Sequence, residues 1–331
     1  MKSREIHLTA YPKGEPGPDN FELAEVDIAA PKDGQVLVQN RWLSVDPYMR
    51  GRMSGIRTYV DPFQIGQAME GGAVGEVIES HNPKFAKGDW VLSMQGWREA
   101  YLSDGKGLQK IDTSLLPPQA YLHIAGLTGM TAYVGIKRII DLKEGETLWM
   151  SAGAGAVGSA GIQFAKAMGA KVVATAGGKE KCDFCREIGA DAVVDYKEAG
   201  NLAKAIREAA GGGVNAYFEN VGGTHWTAAM EVLKPKGRIA ACGMIQRYND
   251  ASAQPLPDNL ANIVAKSLRI QGFIVTDHMD LMGDFMTDLS QWMMAGKVQT
   301  RETVREGIAS MPDAFLGLFR GENLGKMLVK L

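Results

Sequence analysis

Residues 147–176 read TLWMSAGAGAVGSAGIQFAKAMGAKVVATA. Thr147 to Met150 has the composition of a short buried strand, and Lys171 to Ala174 that of the next. Between them Gly153-Ala154-Gly155-Ala156-Val157-Gly158 spells G-x-G-x-x-G. Val157, Ala160, Gly161, Phe164, Ala165 and Met168 then recur at i, i+3, i+4, i+7, i+8 and i+11, one apolar face at helical spacing. Gly169 is placed to end that helix. A bare glycine pattern means little in a chain with 40 glycines. Set between two strands and a clean helix, it is a dinucleotide-binding fingerprint. The glycines permit a tight turn and close backbone approach to a pyrophosphate, and the helix N-terminus offers it free N–H groups.

The second strand runs out through Val173-Ala174-Thr175-Ala176-Gly177-Gly178 with no Asp or Glu to hold a ribose 2′-hydroxyl. Lys179 and Lys181 follow. An uncharged strand end with lysines just beyond suits a 2′-phosphate, so NADP(H) is favoured over NAD. The competing reading is of ordinary solvated lysines opening a helix, and it weighs more for Lys179 than for Lys181.

A chain of 331 residues exceeds one typical core, so two domains are expected. A net charge of −2 leaves no basic surface for nucleic acid or anionic membrane, and no apolar run is long enough to span a bilayer. The first twenty residues lack the apolar core of a signal peptide, so a cytoplasmic location is expected. Three cysteines are too few for a disulfide framework. Cys182 and Cys185 form a C-x-x-C inside an expected helix, with no second pair and no nearby His, which favours coincidence over a redox or zinc role.

Residues 1–122 are strand-rich: Arg4 to Leu8, Phe21 to Asp27, Gln35 to Ser44, Gly72 to Glu79 and Trp97 to Leu102 are short strands broken by turn residues. A distorted barrel is expected there. Asp46-Pro47-Tyr48-Met49-Arg50-Gly51-Arg52 joins a strand to a helical turn. Its arginines, Tyr48 and Met49 suit a pocket lining and equally a capped turn with solvated arginines. From 123 to 298 strands near 147–150, 171–175, 191–194, 214–219, 237–242 and 268–275 alternate with helices, which describes a doubly wound parallel sheet. The loops after those strands share one edge, so Tyr196 and Asn220 gain weight as cofactor contacts. A helix over 278–296 carries Leu281, Phe285, Leu289 and Trp292 on one face, widened by methionines suited to core, subunit contact or an adaptable pocket. Residues 299–331 end in a strand with no helix partner, expected to return to the first domain.

A β-rich first domain, GMTAY at 129–133, AGAVG at 154–158, ENVGG at 219–223 and GENLGK at 321–326 together resemble the medium-chain dehydrogenase/reductase superfamily. VDPYMR at 45–50 and GENLGK are similar to its zinc-independent prostaglandin-reductase branch, which includes leukotriene B4 12-hydroxydehydrogenase, plant double-bond reductases and bacterial curcumin-reductase-like enzymes. The resemblance implies an α/β chain with a Rossmann NADP-binding domain and a GroES-like β-rich catalytic domain, acting as a homodimer. It implies an NADPH-dependent reductase of α,β-unsaturated ketones and aldehydes. By motif, Gly155, Ala156, Val157 and Gly158 would meet the pyrophosphate, Lys181 the 2′-phosphate and Tyr196 the adenosine end. Asn220, Cys242, Gly243, Phe273, Ile274, Val275 and Asn323 would be further cofactor contacts, and Tyr248 would lie near the nicotinamide ribose. Tyr48, Met130 and Thr131 would fall at the substrate pocket, with Arg50 beside Tyr48.

Zinc-dependent relatives use cysteines and a Gly-His-Glu motif. Here Met69-Glu70-Gly71-Gly72-Ala73-Val74-Gly75 has no His, and no Cys precedes 182, so neither zinc site can form. A conjugated enone remains reducible without metal, because hydride at its β-carbon spreads charge into an enolate that needs only hydrogen-bond donors. Tyr248 and Tyr48 are the candidate donors. The rivals are a quinone oxidoreductase and a non-catalytic NADPH-binding module. Pocket size rests on the loops 46–66, 243–262 and 276–290.

Overall fold

The computed structural model describes residues 1–250, 252 and 257–331. Positions 251 and 253–256, part of the loop expected to help set pocket size, lie outside them. The chain divides into two units, Met1–His123 with Glu302–Leu331, and Ile124–Arg301. The sequence reading sets its breaks at 122/123 and 298/299.

In the first unit β1 (Lys2–Leu8) and β2 (Phe21–Asp27) pair antiparallel as a two-stranded sheet. The remaining strands are β3 (Val36–Ser44), β4 (Ala73–Ser80), β5 (Trp90–Ser93), β6 (Ala100–Ser103), β7 (Gln109–Lys110), β14 (Glu302–Glu306) and β15 (Lys326–Lys330). They form one sheet in the order β14-β15-β3-β4-β5-β7, with β6 also on β3. The expected barrel is thus two sheets. The expected strand over 97–102 starts later, at Ala100: Trp97 has φ +60° and lies at a turn, its ring buried. β15 runs antiparallel to β3 and parallel to β14, so the chain's last strand is interior to this sheet. One core cluster joins distant segments: Ile6, Leu43, Met49 and Trp97 with Phe315 of α9 (Met311–Arg320) and Met327 of β15. Phe21 stacks on Trp97 and Phe315 meets Trp97 edge-on, both at 6.0 Å, a packing aromatic quadrupoles favour.

The second unit is a parallel sheet of β8 (Thr147–Met150), β9 (Lys171–Ala176), β10 (Ala192–Asp195), β11 (Val214–Glu219), β12 (Leu233–Ala241) and β13 (Arg269–Gly272). Their order is β10-β9-β8-β11-β12-β13. The order reverses between β8 and β11, the switch point at which such sheets bind ligands beyond their carboxyl ends. β8 is buried at every residue, as a central strand covered on both faces must be. α3 (Ala156–Ala167), α4 (Lys179–Glu187), α5 (Leu202–Ala209) and α6 (Thr224–Val232) follow β8 to β11 in turn. The side chain of Asn201 caps α5 by accepting from Lys204 N at 2.8 Å.

Three elements depart from the periodicity. β12 begins at Leu233 rather than 237 and carries a strained Lys236 at φ +63°. β13 ends at Gly272, so Phe273, Ile274 and Val275 lie beyond the strand rather than in it. The helix expected over 278–296 is α8 (Met282–Met294), preceded by a tighter turn kinked at His278. Its Phe285 and Leu289 are buried, as the spacing requires. α2 (Leu127–Val134) continues over Gly135–Ile140 in a wider π-helical winding. A Cβ at Gly135 would lie 2.3 Å from the Phe218 ring, so this glycine lets the winding press on β11.

Candidate functional site: a dinucleotide cradle and a tyrosine loop

Beyond β8 the chain turns through Ala152, which has φ +48°, and Gly155 opens α3 without any side-chain cap. A Cβ on Gly158 would sit 2.2 Å from the Ala152 carbonyl oxygen and 2.9 Å from Gly153 Cα. Only glycine lets helix and turn approach this closely. The first-turn N–H groups of α3 thus lie at a helix start that no side chain caps. A Cβ on Gly153 would meet Cys185 Sγ at 3.0 Å, which assigns the C-x-x-C a packing role. Both cysteines are buried and unpaired, and burial pushes the Cys185 thiol up to about 12.

The turn after β11 is tied to the end of β8. Asn220 N donates to Ser151 Oγ at 2.9 Å, and Asn220 Nδ2 donates to Ser151 O at 2.9 Å. Glu219 accepts from Val221 N at 2.5 Å and from Gly222 N at 2.9 Å, and burial raises its carboxyl above the ordinary value. This holds Asn220 at the switch point with its amide hydrogens directed inward. Cys242 N and Gly243 N both donate to Glu219 O, at 3.0 and 3.1 Å, so these two contribute surface rather than free backbone donors. The Cys242 thiol is pushed up to about 12 by burial and by the Glu219 carboxylate. Tyr248 follows a tight turn over Ile245–Arg247 and folds back, its hydroxyl 3.5 Å from Met244 N. A Cβ on Gly243 would stand 3.1 Å from that hydroxyl.

At the end of β9, a Cβ on Gly177 would meet the Tyr196 ring and Lys197 Cε at 2.9 Å. Lys181, on the first turn of α4, is half-buried, and burial and then the Lys197 charge hold its ammonium below the ordinary lysine value. Tyr196 is exposed, its ring edge-on to the buried His225 at 5.3 Å. Past β13, the Phe273 ring packs edge-on against Phe218 at 6.3 Å, while Ile274 and Val275 are half-buried. On α2, Met130 is fully buried and Thr131 Oγ1 donates to Leu127 O at 2.6 Å.

In the first unit the loop after β3 carries Tyr48, half-buried. Burial, then the Asp46 carboxylate, raises its phenol well above the usual tyrosine value. The reading of solvated arginines is wrong. Arg50 and Arg52 are each 7% exposed. Arg50 Nη2 donates to Gly14 O at 2.6 Å. Arg52 donates to Asp61 O and to Glu70, and stacks on Phe63 at 4.2 Å. Asn323, between α9 and β15, donates through Nδ2 to Gly325 O at 3.0 Å. The buried Lys326 donates to Val45 O at 3.0 Å and to Asp46 Oδ1, and Ser44 Oγ donates to Asp46 Oδ2. VDPYMR and GENLGK, far apart in sequence, are thus joined by one buried ion pair.

Two family descriptions match the chain: an N-terminal domain of oxidoreductase over residues 4–111, and a zinc-binding dehydrogenase over 156–291. The NADPH-dependent curcumin reductase of Escherichia coli is 39% identical, over 100% of this chain and 97% of its own. The chain belongs to the medium-chain dehydrogenase/reductase family. A 2-alkenal reductase (NADP(+)-dependent) of Nicotiana tabacum is 39% identical over 99% of this member and 97% of its own length. The crystal structure of CurA from Vibrio vulnificus in complex with NADPH superposes at a TM-score of 0.94, with 40% identity over 99% of this chain and 98% of that one. In this medium-chain dehydrogenase/reductase, no group of three His, Cys, Asp or Glu among the described residues is arranged to hold a metal, although one family description names zinc.

Several residues that shape the site escaped the sequence reading. Ser151 and Glu219 hold Asn220, and Lys326 with Asp46 holds the Tyr48 loop. Lys197 lies folded back beside Gly177. For Lys197 a signal existed, a second lysine beside Tyr196 at a strand end. For the others nothing local marks the partner.

Proposed function

We propose that the chain reduces the carbon–carbon double bond of α,β-unsaturated ketones and aldehydes with NADPH, without a metal. The observation that carries this reading is full-length likeness to a curcumin reductase and a 2-alkenal reductase. The residues fit the cofactor. Gly158 lets the 152–155 turn pack onto the start of α3, so that the helix N-terminus faces a pyrophosphate, and Lys181 has no carboxylate partner among the described residues. Lys181 and Tyr196 would hold the adenosine end, with the 155–158 turn at the pyrophosphate. Asn220, the 242–248 loop, residues 273–275 and Asn323 would hold the nicotinamide half. When bound, NADPH supplies a hydride to the substrate β-carbon.

The chain's own task is the developing oxyanion. Tyr48 keeps its proton far above neutral pH, so it serves as a hydrogen-bond donor and is too weak an acid to be the proton source. Tyr248 is the second donor, fixed by its fold over Gly243. Water then supplies the α-carbon proton. Met130, Thr131 and Arg50 would border the substrate, Arg50 through the loop it braces on Gly14. The sequence supplies no cysteine before 182 and no His between 69 and 75, so the donor sets of zinc-dependent relatives are missing. No described helix is long and apolar enough to cross a membrane. We place the protein in the cytoplasm as a homodimer, with residues 1–122 as catalytic domain, 123–298 as NADP-binding domain and 299–331 returning to the first.

The test is NADPH consumption with a linear enal, a linear enone, a bulky aryl enone, a quinone and a simple ketone, repeated with NADH. Saturated carbonyl products from enals or enones, with NADPH preferred, are expected. Tyr248→Phe should lower turnover about ten-fold, the scale of one lost transition-state donor. Turnover of the quinone alone would transfer the protein to the quinone-oxidoreductase reading, and cofactor binding without any turnover would favour a non-catalytic module.

A further inference from the structure

The geometry points to Lys197 as a second ligand of the cofactor's 2′-phosphate, so that Lys181 and Lys197 form a two-lysine clamp closing over Gly177. The inference rests on the NADPH reading above and adds a specificity-determining residue to it.

Three observations converge. Lys197 is exposed, yet its chain lies along the protein rather than straight out from its loop. Its chain folds back, with Cε 2.9 Å from where a Cβ on Gly177 would stand, beside the Tyr196 ring. Gly177 is the first residue past β9, the place where an NAD-selective site carries its acidic residue. Secondly, Lys197 is near enough for its charge to act on Lys181, and neither ammonium has a hydrogen-bond or ion-pair partner among the described residues. Lys179, on the same turn, is paired with Asp183. Two neighbouring cations left without an anion call for one from outside. Thirdly, the nearby carboxylate does not fill that role. Asp195 accepts from Gly178 N at 2.9 Å through Oδ2 and from Lys197 N at 3.0 Å through Oδ1, so both oxygens serve the backbone. Those same bonds fix the turn from which Lys197 projects. A dianionic phosphate monoester matches two ammonium groups near a glycine, whereas a ribose hydroxyl offers them a neutral acceptor and no counter-charge.

The experiment is calorimetric titration of the full chain with NADPH, NADH and 2′,5′-ADP, for wild type, Lys197→Gln, Lys197→Arg and Lys181→Gln. Lys197→Gln is expected to weaken NADPH and 2′,5′-ADP about ten-fold, the scale of one charge-assisted hydrogen bond, and to leave NADH unchanged. Lys197→Arg should retain most of the affinity. Added salt should weaken 2′,5′-ADP less steeply in Lys197→Gln than in wild type, since one screened charge is gone. If Lys197→Gln binds 2′,5′-ADP as wild type does while Lys181→Gln does not, the clamp is overturned and the NADPH reading stands. If wild type itself binds NADH as tightly as NADPH and ignores 2′,5′-ADP, both fall.

Discussion

His225 is 2% exposed, and neither of its ring nitrogens has a hydrogen-bond partner. Its ring lies between the exposed Tyr196 and the buried Trp149, to which it stacks at 5.8 Å. Burial depresses its pKa to about 4. The unfolded chain takes up this proton near the ordinary histidine value of 6.5, the native chain only near 4. Between those values the unfolded state binds more protons, so stability is fully present above the unfolded value and is lost as pH falls through the window. Between about pH 7 and about pH 5 the loss from this one group is roughly 2 kcal/mol. His225→Phe keeps a ring against Trp149 and removes the titration. Urea unfolding at the two pH values should show a smaller acid loss in the variant. Glu219, whose pKa burial raises, titrates in both proteins and cancels in the comparison. An equal loss in both would show that another group governs the acid limb. At this scale the sequence reading reached residues whose meaning is local: the spacing of Gly153, Gly155 and Gly158, the missing acid after β9, and Tyr196 and Asn220 at strand ends. It did not reach His225 or Lys326, because a buried imidazole or ammonium is defined by what surrounds it, and those neighbours are distant in sequence.

Among the elements, the loop carrying Tyr48 depends on a strand that arrives about 280 positions later, a separation at which local pattern carries no signal. Lys326 is 1% exposed, on the strand that pairs with β3 next to this loop. Removing one member of a buried ion pair leaves the other charge uncompensated, at a cost of about 3–5 kcal/mol. Lys326→Met should therefore destabilise the protein by about 3 kcal/mol, with the Asp46 loop loosened first. Lys326→Arg, which keeps the charge, should recover part of this loss. Thermal melts and hydrogen exchange over residues 44–53 measure both. Full stability in Lys326→Met would mean that the pair contributes nothing net. The strands themselves were legible where pattern is strongest: β8 and β11 match the expected ranges to the residue. Legibility failed where tertiary contact overrides periodicity. β12 starts early through an irregular Lys234–Gly237 stretch. The helix of residues 127–140 changes its winding at Gly135, where Phe218 presses in.

Across the whole molecule, the doubly wound sheet is contiguous in sequence and the β-rich unit is not. Local alternation of strand and helix reveals the former. The latter was legible only because a terminal strand without a helix needs a sheet to join. A chain ending at Arg301 separates the two cases. It retains all six parallel strands of the second unit. From the first unit it removes β14, β15 and α9, and with them Ile308, Met311, Phe315, Met327 and Val329 of the cluster around Trp97. β3 then becomes short of its β15 partner, exposing a hydrophobic edge. The lost side chains each contribute about 1.5–3 kcal/mol by burial, a sum that exceeds the margin by which domains are stable. Residues 1–123 should lose hydrogen-exchange protection while residues 124–301 keep theirs and still bind 2′,5′-ADP, since Lys181, Tyr196 and the 155–158 turn all lie in the surviving unit. Loss of protection in both stretches together would show that the parallel sheet, though built from one continuous segment, draws its stability from the rest of the chain.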